Sequence, residues 1–317
     1  MLFIASFFAA VIPMSIYLMI IWRIDRYDRE PLNLLLINFI YGAVGAIILA
    51  VIGSGLITAA AGYIIKNEQL ILRFEAVVVA PIVEETTKGF FLFLMMANKK
   101  FDNITDGIVY GGAIGLGFGM TENFFYFVYY SSSFDNWLSI VIIRTLFSGV
   151  MHCVTTGTLG AFLGYAKFRS GSAKLAFPFL GLAIGMAIHS LWNLSVSFDS
   201  TAILGFLFMI FTIAVFITVF SISLLSEKKI IFTELLPETK TGLIPQEHLF
   251  ILNSAKRNKL GWIDESKRKI YIKSATTLAF RKMQARNSSG VSKNYYDQDI
   301  ENYRNFIRNL LSGTQPG

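Results

Sequence analysis

One cysteine, Cys153, excludes a disulfide within the chain and any cysteine-built zinc knuckle. Charge is scarce as well: Asp, Glu, Lys and Arg make up 15% of 317 residues, against 54% hydrophobic residues. A soluble globular chain carries about a quarter charged residues, so a composition this apolar excludes the ordinary soluble class. Histidine occurs only three times, at His152, His189 and His248. No nucleic-acid-binding motif is present. The net charge of +7 gathers beside the apolar runs and in the C-terminal region, which points to anionic lipid headgroups as its partner.

What the sequence does have is long apolar runs of about 20 residues, the length that crosses ~30 Å of hydrocarbon. They recur at 1–22, 31–65, 74–97, 104–130, 138–166, 174–198 and 201–225, which predicts an all-α polytopic transmembrane bundle of about seven spans. The second run is too long for one straight crossing and holds Gly53 and Gly55, so a bend, a tilt or an interfacial start is expected there. The first run has no basic residue at its amino end, and Arg23, Arg26 and Arg29 follow it, an order that fits an uncleaved span with its amino terminus outside. Lys99, Lys100, Lys167, Arg169 and Lys174 fall in alternate loops, whereas the intervening loops hold only Lys66 and Arg73. The positive-inside rule then puts the basic loops and the tail in the cytoplasm of a cell-membrane protein. The expected organisation is a transmembrane domain over 1–225, its motif-bearing core at 74–198, and a basic cytoplasmic tail over 226–317. In that tail, 246–260 and 294–311 read as helices and the alternation Lys269 to Lys273 reads as a short strand. His248 reads as a surface histidine.

Ionisable residues inside the apolar runs are costly, and so are usually kept for a purpose. Glu84, Glu85 and Lys88 occupy one helical face, with the lysine one turn on and able to reach either carboxylate. Two adjacent carboxylates in a low dielectric repel, so the lysine can keep one charged while the other keeps a proton. Pro81, one turn earlier, removes a helical hydrogen bond and can open a kink that admits water. The next run carries Gly111, Gly115, Gly119 and Asn123 in one stripe with Phe118 and Glu122 beside it. Arg144, Ser148, His152, Thr156, Gly160 and Gly164 form another stripe, and Gly181, Gly185, His189 and Asn193 a third. Small residues let helices approach closely, so each polar residue faces a neighbouring helix and not lipid. Counted from the outer ends of their spans, Glu84, Glu122 and His189 lie about nine or ten residues in and His152 about fourteen, depths at ~1.5 Å per residue that allow one shared cavity. Structural interhelical ties are the plain alternative for each residue alone, and Arg144 reads as a structural or substrate-orienting charge. The set together points to chemistry.

The ordered motifs EExxK (Glu84, Glu85, Lys88), FxxxEN (Phe118, Glu122, Asn123), HxxxxG (His152, Gly157) and HxxxN (His189, Asn193) resemble the PrsW family of intramembrane proteases, over roughly residues 74–198. That family is similar to the CAAX prenyl endopeptidases, whose second motif carries histidine where this chain has Glu122 and Asn123. Other intramembrane protease signatures, HExxH, GxGD and GxSG, are absent. The resemblance implies peptide-bond hydrolysis in a membrane-protein substrate, in the known bacterial case an anti-sigma factor cut at its extracytoplasmic side. The residues themselves suggest Glu84 or Glu85 as general base with Lys88 setting protonation, and the other carboxyl as acid. His152, His189 and Asn193 would stabilise the oxyanion or bind a metal, with Glu122 able to join either arrangement. A Zn²⁺ or other divalent ion would need about three protein ligands, which His152, His189 and a glutamate such as Glu122 could supply. The rival classes are a proton- or ion-coupled transporter and a non-catalytic scaffold. The oligomeric state does not follow from the sequence.

Overall fold

Hydrocarbon offers no water to backbone N–H and C=O groups, so a spanning segment must close its hydrogen bonds internally. The computed structural model does so with helices alone among the residues it describes, 2–98 and 100–312. Met1, Lys99 and residues 313–317 lie outside them, and with Lys99 one of the expected basic-loop charges.

Helix α1 (Leu2–Ile24) is followed by α2 (Leu32–Ile40), which runs through a π-helical segment, Tyr41–Ala46, into α3 (Ile47–Ala61). Helix α4 (Glu68–Phe74) passes through a second π segment, Glu75–Val79, into α5 (Ala80–Met95). Helix α6 (Ile104–Tyr129) is unbroken, and α7 (Phe134–Ile143) continues through a third π segment, Arg144–Ser148, into α8 (Gly149–Ala166). Then come α9 (Ala173–Val196), α10 (Asp199–Lys240), α11 (Gln246–Leu252), α12 (Glu265–Arg286) and α13 (Gly290–Ser312). The long second run departs from α geometry at Tyr41–Ala46, ahead of Gly53 and Gly55, which both sit in regular helix.

Five helical stretches are long and apolar enough to cross a bilayer: Leu2–Ile24, Leu32–Ala61, Phe134–Ala166, Ala173–Val196 and Asp199–Lys240. The chain is therefore a multi-pass helical membrane protein. The other two runs among the expected seven are α4–α5 and α6, and their weaker apolar character has a physical cause. Helix α5 carries Glu84, Glu85 and Lys88, and α6 is rich in glycine and buried without interruption from Thr105 to Gly119. Protein covers α6 along this stretch, so its surface there meets other helices, and glycine serves that close packing.

The chain forms two compact units, Met1–Asp25 with Arg29–Phe220, and Arg26–Asp28 with Ser221–Gly317. In the first, α6 is the axis, packed against α8 and α1 and against α2 with its π segment. Its N-terminus is fixed by a capping box, Asn103 accepting from the Asp106 backbone N–H while the Asp106 carboxylate accepts from that of Asn103. Contact with α8 is made backbone to backbone: a Cβ on Gly107 would collide with the Gly160 carbonyl, one on Gly160 with that of Gly107, and one on Gly115 with that of His152. Glycine at these three positions is what lets the backbone of His152 lie against α6.

In the second unit α12 is buried along Tyr271, Ser274, Ala275, Leu278 and Ala279. The strand expected at Lys269–Lys273 is thus the first half of a helix. Five alternating residues satisfied both periods, and the uninterrupted run beyond them, free of Gly and Pro, decided for the helix. Arg304 and Lys282 each reach the buried Glu238 carboxylate at 2.6 Å, tying α13 and α12 to α10. His248 is half-buried against Trp262 and Tyr271, its Nδ1 3.2 Å from the Tyr271 hydroxyl, so it is a packing residue of this unit.

The α6–α8 contact should tolerate no side chain. Gly160→Val is expected to abolish recovery of monodisperse protein in detergent, whereas Gly55→Ala, where nothing lies within 4 Å of the added carbon, should recover normally and gain up to about 1 kcal/mol from helix propensity. Normal recovery of Gly160→Val would show that the contact is looser than described.

Candidate metal and catalytic centre

Four helices of the first unit bring their polar residues to one place. Lys88 is fully buried, with Nζ 2.5 Å from Glu85 Oε1, 3.0 Å from His152 Nδ1 and 3.9 Å from Glu84 Oε2. Its ammonium also lies 4.4 Å from the centre of the Phe118 ring, a cation–π contact that partly replaces lost hydration. His189 Nδ1 is 3.0 Å from Glu85 Oε1 and its Nε2 is 3.9 Å from Glu84 Oε2. His152 Nε2 is 2.7 Å from Glu122 Oε2, which also pairs with Arg144 Nη2 at 2.7 Å.

These partners fix both imidazole tautomers. An ammonium only donates, so His152 Nδ1 accepts from Lys88 and its Nε2–H donates to Glu122. A carboxylate only accepts, so His189 Nδ1–H donates to Glu85, and the Nε2 lone pair is left facing Glu84. Each histidine therefore gives one N–H to a glutamate, the arrangement by which proteins orient metal-binding imidazoles.

The residues fit a metal ion. One donor atom each from Glu84, His152 and His189 lie within 4.8 Å of one another. Glu84 Oε2 is buried and has no hydrogen-bond partner, an omission that is costly unless something else binds there. Two imidazoles and a carboxylate are a zinc-type set. Glu122, expected among the ligands, lies against Arg144 and His152, and the carboxylate grouped with the two imidazoles is Glu84.

A family profile described as PrsW family intramembrane metalloprotease matches residues 30–221. The chain belongs to the PrsW family. Protease PrsW of Bacillus subtilis is 26% identical over 196 residues, 61% of this chain and 81% of the relative. Protease PrsW of Clostridioides difficile is 30% identical over 191 residues, 59% of this chain and 77% of the relative. No solved structure matches the chain significantly. As a PrsW family member the protein is an intramembrane peptidase.

Of the eight residues expected at the site, Glu84, Glu85, Lys88, Glu122, His152 and His189 meet in this cluster. The two asparagines do not point into it. Asn123 accepts from Arg144 Nε at 3.0 Å, and Asn193 donates to the backbone carbonyl of Ala76 at 2.8 Å. Two further members join. Arg144 holds Glu122 and lies over the Tyr126 ring, and Thr156 Oγ1 donates to Glu85 Oε2 at 3.4 Å. Both stand in the same helical stripe as His152, which was the available signal. Exposure grades across the cluster: the side chains of Glu122, Arg144 and Glu84 are 21%, 13% and 13% exposed, and Lys88, Glu85, His152 and His189 at most 3%.

Removing one member of a buried ion pair strands the other and costs about 3–5 kcal/mol, whereas replacing both by apolar groups is often neutral. Lys88→Met should therefore lower the melting temperature in detergent by about 10 °C. Lys88→Met/Glu85→Leu should recover most of that loss, though not activity. A double variant no more stable than the single would mean that Lys88 is not held mainly by Glu85.

Proposed function

We propose that the protein hydrolyses peptide bonds of membrane-protein substrates by a metal-assisted mechanism in which Glu84, His152 and His189 hold a divalent ion of the zinc type and Glu122 is the general base. The observation that carries this reading is Glu84 Oε2, buried, without a hydrogen-bond partner, and grouped with two oriented imidazoles. When bound, such an ion polarises the scissile carbonyl and makes water a better nucleophile.

The chain's own residues supply the rest. Glu85 receives Lys88 and His189 on Oε1 and Thr156 on Oε2 and is only 2% exposed, so it serves to aim His189 Nε2 and not to meet entering water. His152 would hold the ion through Nδ1, the nitrogen that now accepts from Lys88, and its Nε2–H on Glu122 orients the ring for that. Glu122 Oε2 is committed to His152 and Arg144, so its other oxygen, on the most exposed carboxylate of the cluster, takes the proton of the attacking water and passes it to the leaving nitrogen. Glu122, Arg144 and Glu84 form the accessible edge at which a substrate backbone would enter. That backbone must be locally unwound for its carbonyl to be reached, so helix-breaking residues near the cut are expected in the substrate, an anti-sigma-factor-like regulator being one candidate.

Residues 1–225 would then be the protease domain of a cell-membrane protein with its amino terminus outside, and 226–317 a cytoplasmic tail. Arg23, Arg26 and Arg29 after α1, and Lys167 and Arg169 after α8, support that orientation.

The roles separate in a cleavage assay on a panel of single-span substrates. Glu122→Gln keeps an acceptor for His152 but loses the base, so kcat should fall by about 10²–10⁴ while metal affinity stays within an order of magnitude of wild type. Glu84→Gln should lose both cleavage and metal. Undiminished turnover by Glu122→Gln would remove it from the mechanism.

A further inference from the structure

Pro81 has no N–H, and a helix pays for that at specific upstream carbonyls. In α register the missing bond is the one to Val77 O, four residues back, and in π register the one to Ala76 O, five back. The chain is in π register at this point, the Ala80 N–H reaching Glu75 O. Both carbonyls that Pro81 could have served are taken by side chains of α9: Ser190 Oγ donates to Val77 O at 2.6 Å, and Asn193 Nδ2 donates to Ala76 O at 2.8 Å. One residue before Ser190, His189 donates to Glu85 on α5. The same device recurs at the other two π segments, where Thr121 donates to Ala43 O at 2.8 Å and Asn123 approaches Arg144 O at 3.5 Å.

We propose that Ser190 and Asn193 are positioning residues, a two-point clip that closes the helix break made by Pro81 and so sets the direction in which Glu84 and Glu85 leave α5, and that Asn193 does not touch the substrate. The activity arm of this inference rests on the peptidase reading of the site; the backbone arm does not. The clip explains why an asparagine stands one turn after His189 without facing the cluster, and why Ser190, outside every motif, is turned toward α5. It also replaces the water that a proline kink would otherwise admit.

The test is amide hydrogen exchange over residues 75–84 of the full-length protein in detergent, together with cleavage kinetics, for Ser190→Ala, Asn193→Ala, Ser190→Thr and Pro81→Ala/Ser190→Ala. A clip predicts that the two alanine variants speed exchange in this segment by about tenfold and lower kcat by similar factors, about tenfold each, with KM little changed. Ser190→Thr keeps the hydroxyl and should restore both. Pro81→Ala returns an N–H to the break and should reduce the Ser190→Ala effect to less than threefold. An oxyanion donor predicts another pattern, a loss of about 10²–10³ in kcat for Asn193→Ala with Ser190→Ala like wild type, and that result would overturn the proposal. Unchanged exchange in Ser190→Ala would overturn it as well, even if Asn193→Ala fails to fold or no substrate is cleaved.

Discussion

Three carboxylates and two fixed cations share one buried cluster, and that imbalance is the constraint on which the rest of the structure depends. Lys88 answers Glu85 and Arg144 answers Glu122, each at hydrogen-bonding distance, while Glu84 has only the shared Lys88, 3.9 Å away, as a cation. A lone carboxylate in a low dielectric is among the most costly groups a protein can bury. The arrangement is one positive charge short, and the shortfall lies where two imidazoles converge. Either a proton or a cation relieves that shortfall, and the convergence of two imidazoles on Glu84 is what favours the cation in the proposed mechanism.

Holding such a cluster together takes more than pairing. His152 can reach Lys88 and Glu122 at once because glycines let the α8 backbone touch α6. Glu85 can meet both Lys88 and His189 because α9 grips the broken start of α5 through its carbonyls. Two of the site-bearing stretches, α4–α5 and α7–α8, contain π segments, and so does the neighbouring α2–α3, each with a carbonyl approached by a side chain from a neighbouring helix. Departures from α geometry of this kind frequently mark functional sites. Here they turn polar side chains toward one another without exposing backbone to lipid.

Much of this was legible in the amino-acid order. Spacing of three and four placed Glu84, Glu85 and Lys88 on one face, and glycine stripes foretold which faces meet. What spacing cannot give is the partner of a side chain. Asn193 shares a stripe with His189, yet one added turn of helix carries its amide past the cluster to a carbonyl that Pro81 left bare. Glu84 and Glu122 are chemically alike in sequence, and only Arg144, a stripe away in another helix, distinguishes the paired one from the unpaired one. Helices α5 and α6 are less apolar than the other spans because α5 carries Glu84, Glu85 and Lys88 and α6 packs through glycines against other helices. In the tail, five alternating residues could not separate strand from helix, and the long breaker-free run around them could.

The proposed cation at Glu84 is open to direct measurement. The direct measurement is elemental analysis of protein purified in detergent without chelator, wild type beside Glu84→Ala, with the retained ion titrated out and activity followed. A metal held by Glu84, His152 and His189 predicts about one zinc-type ion per chain in the wild type, far less in Glu84→Ala, and cleavage that is lost on chelation and returns with the metal. Wild-type protein that cleaves its substrate at full rate while metal-free and indifferent to chelators would contradict it.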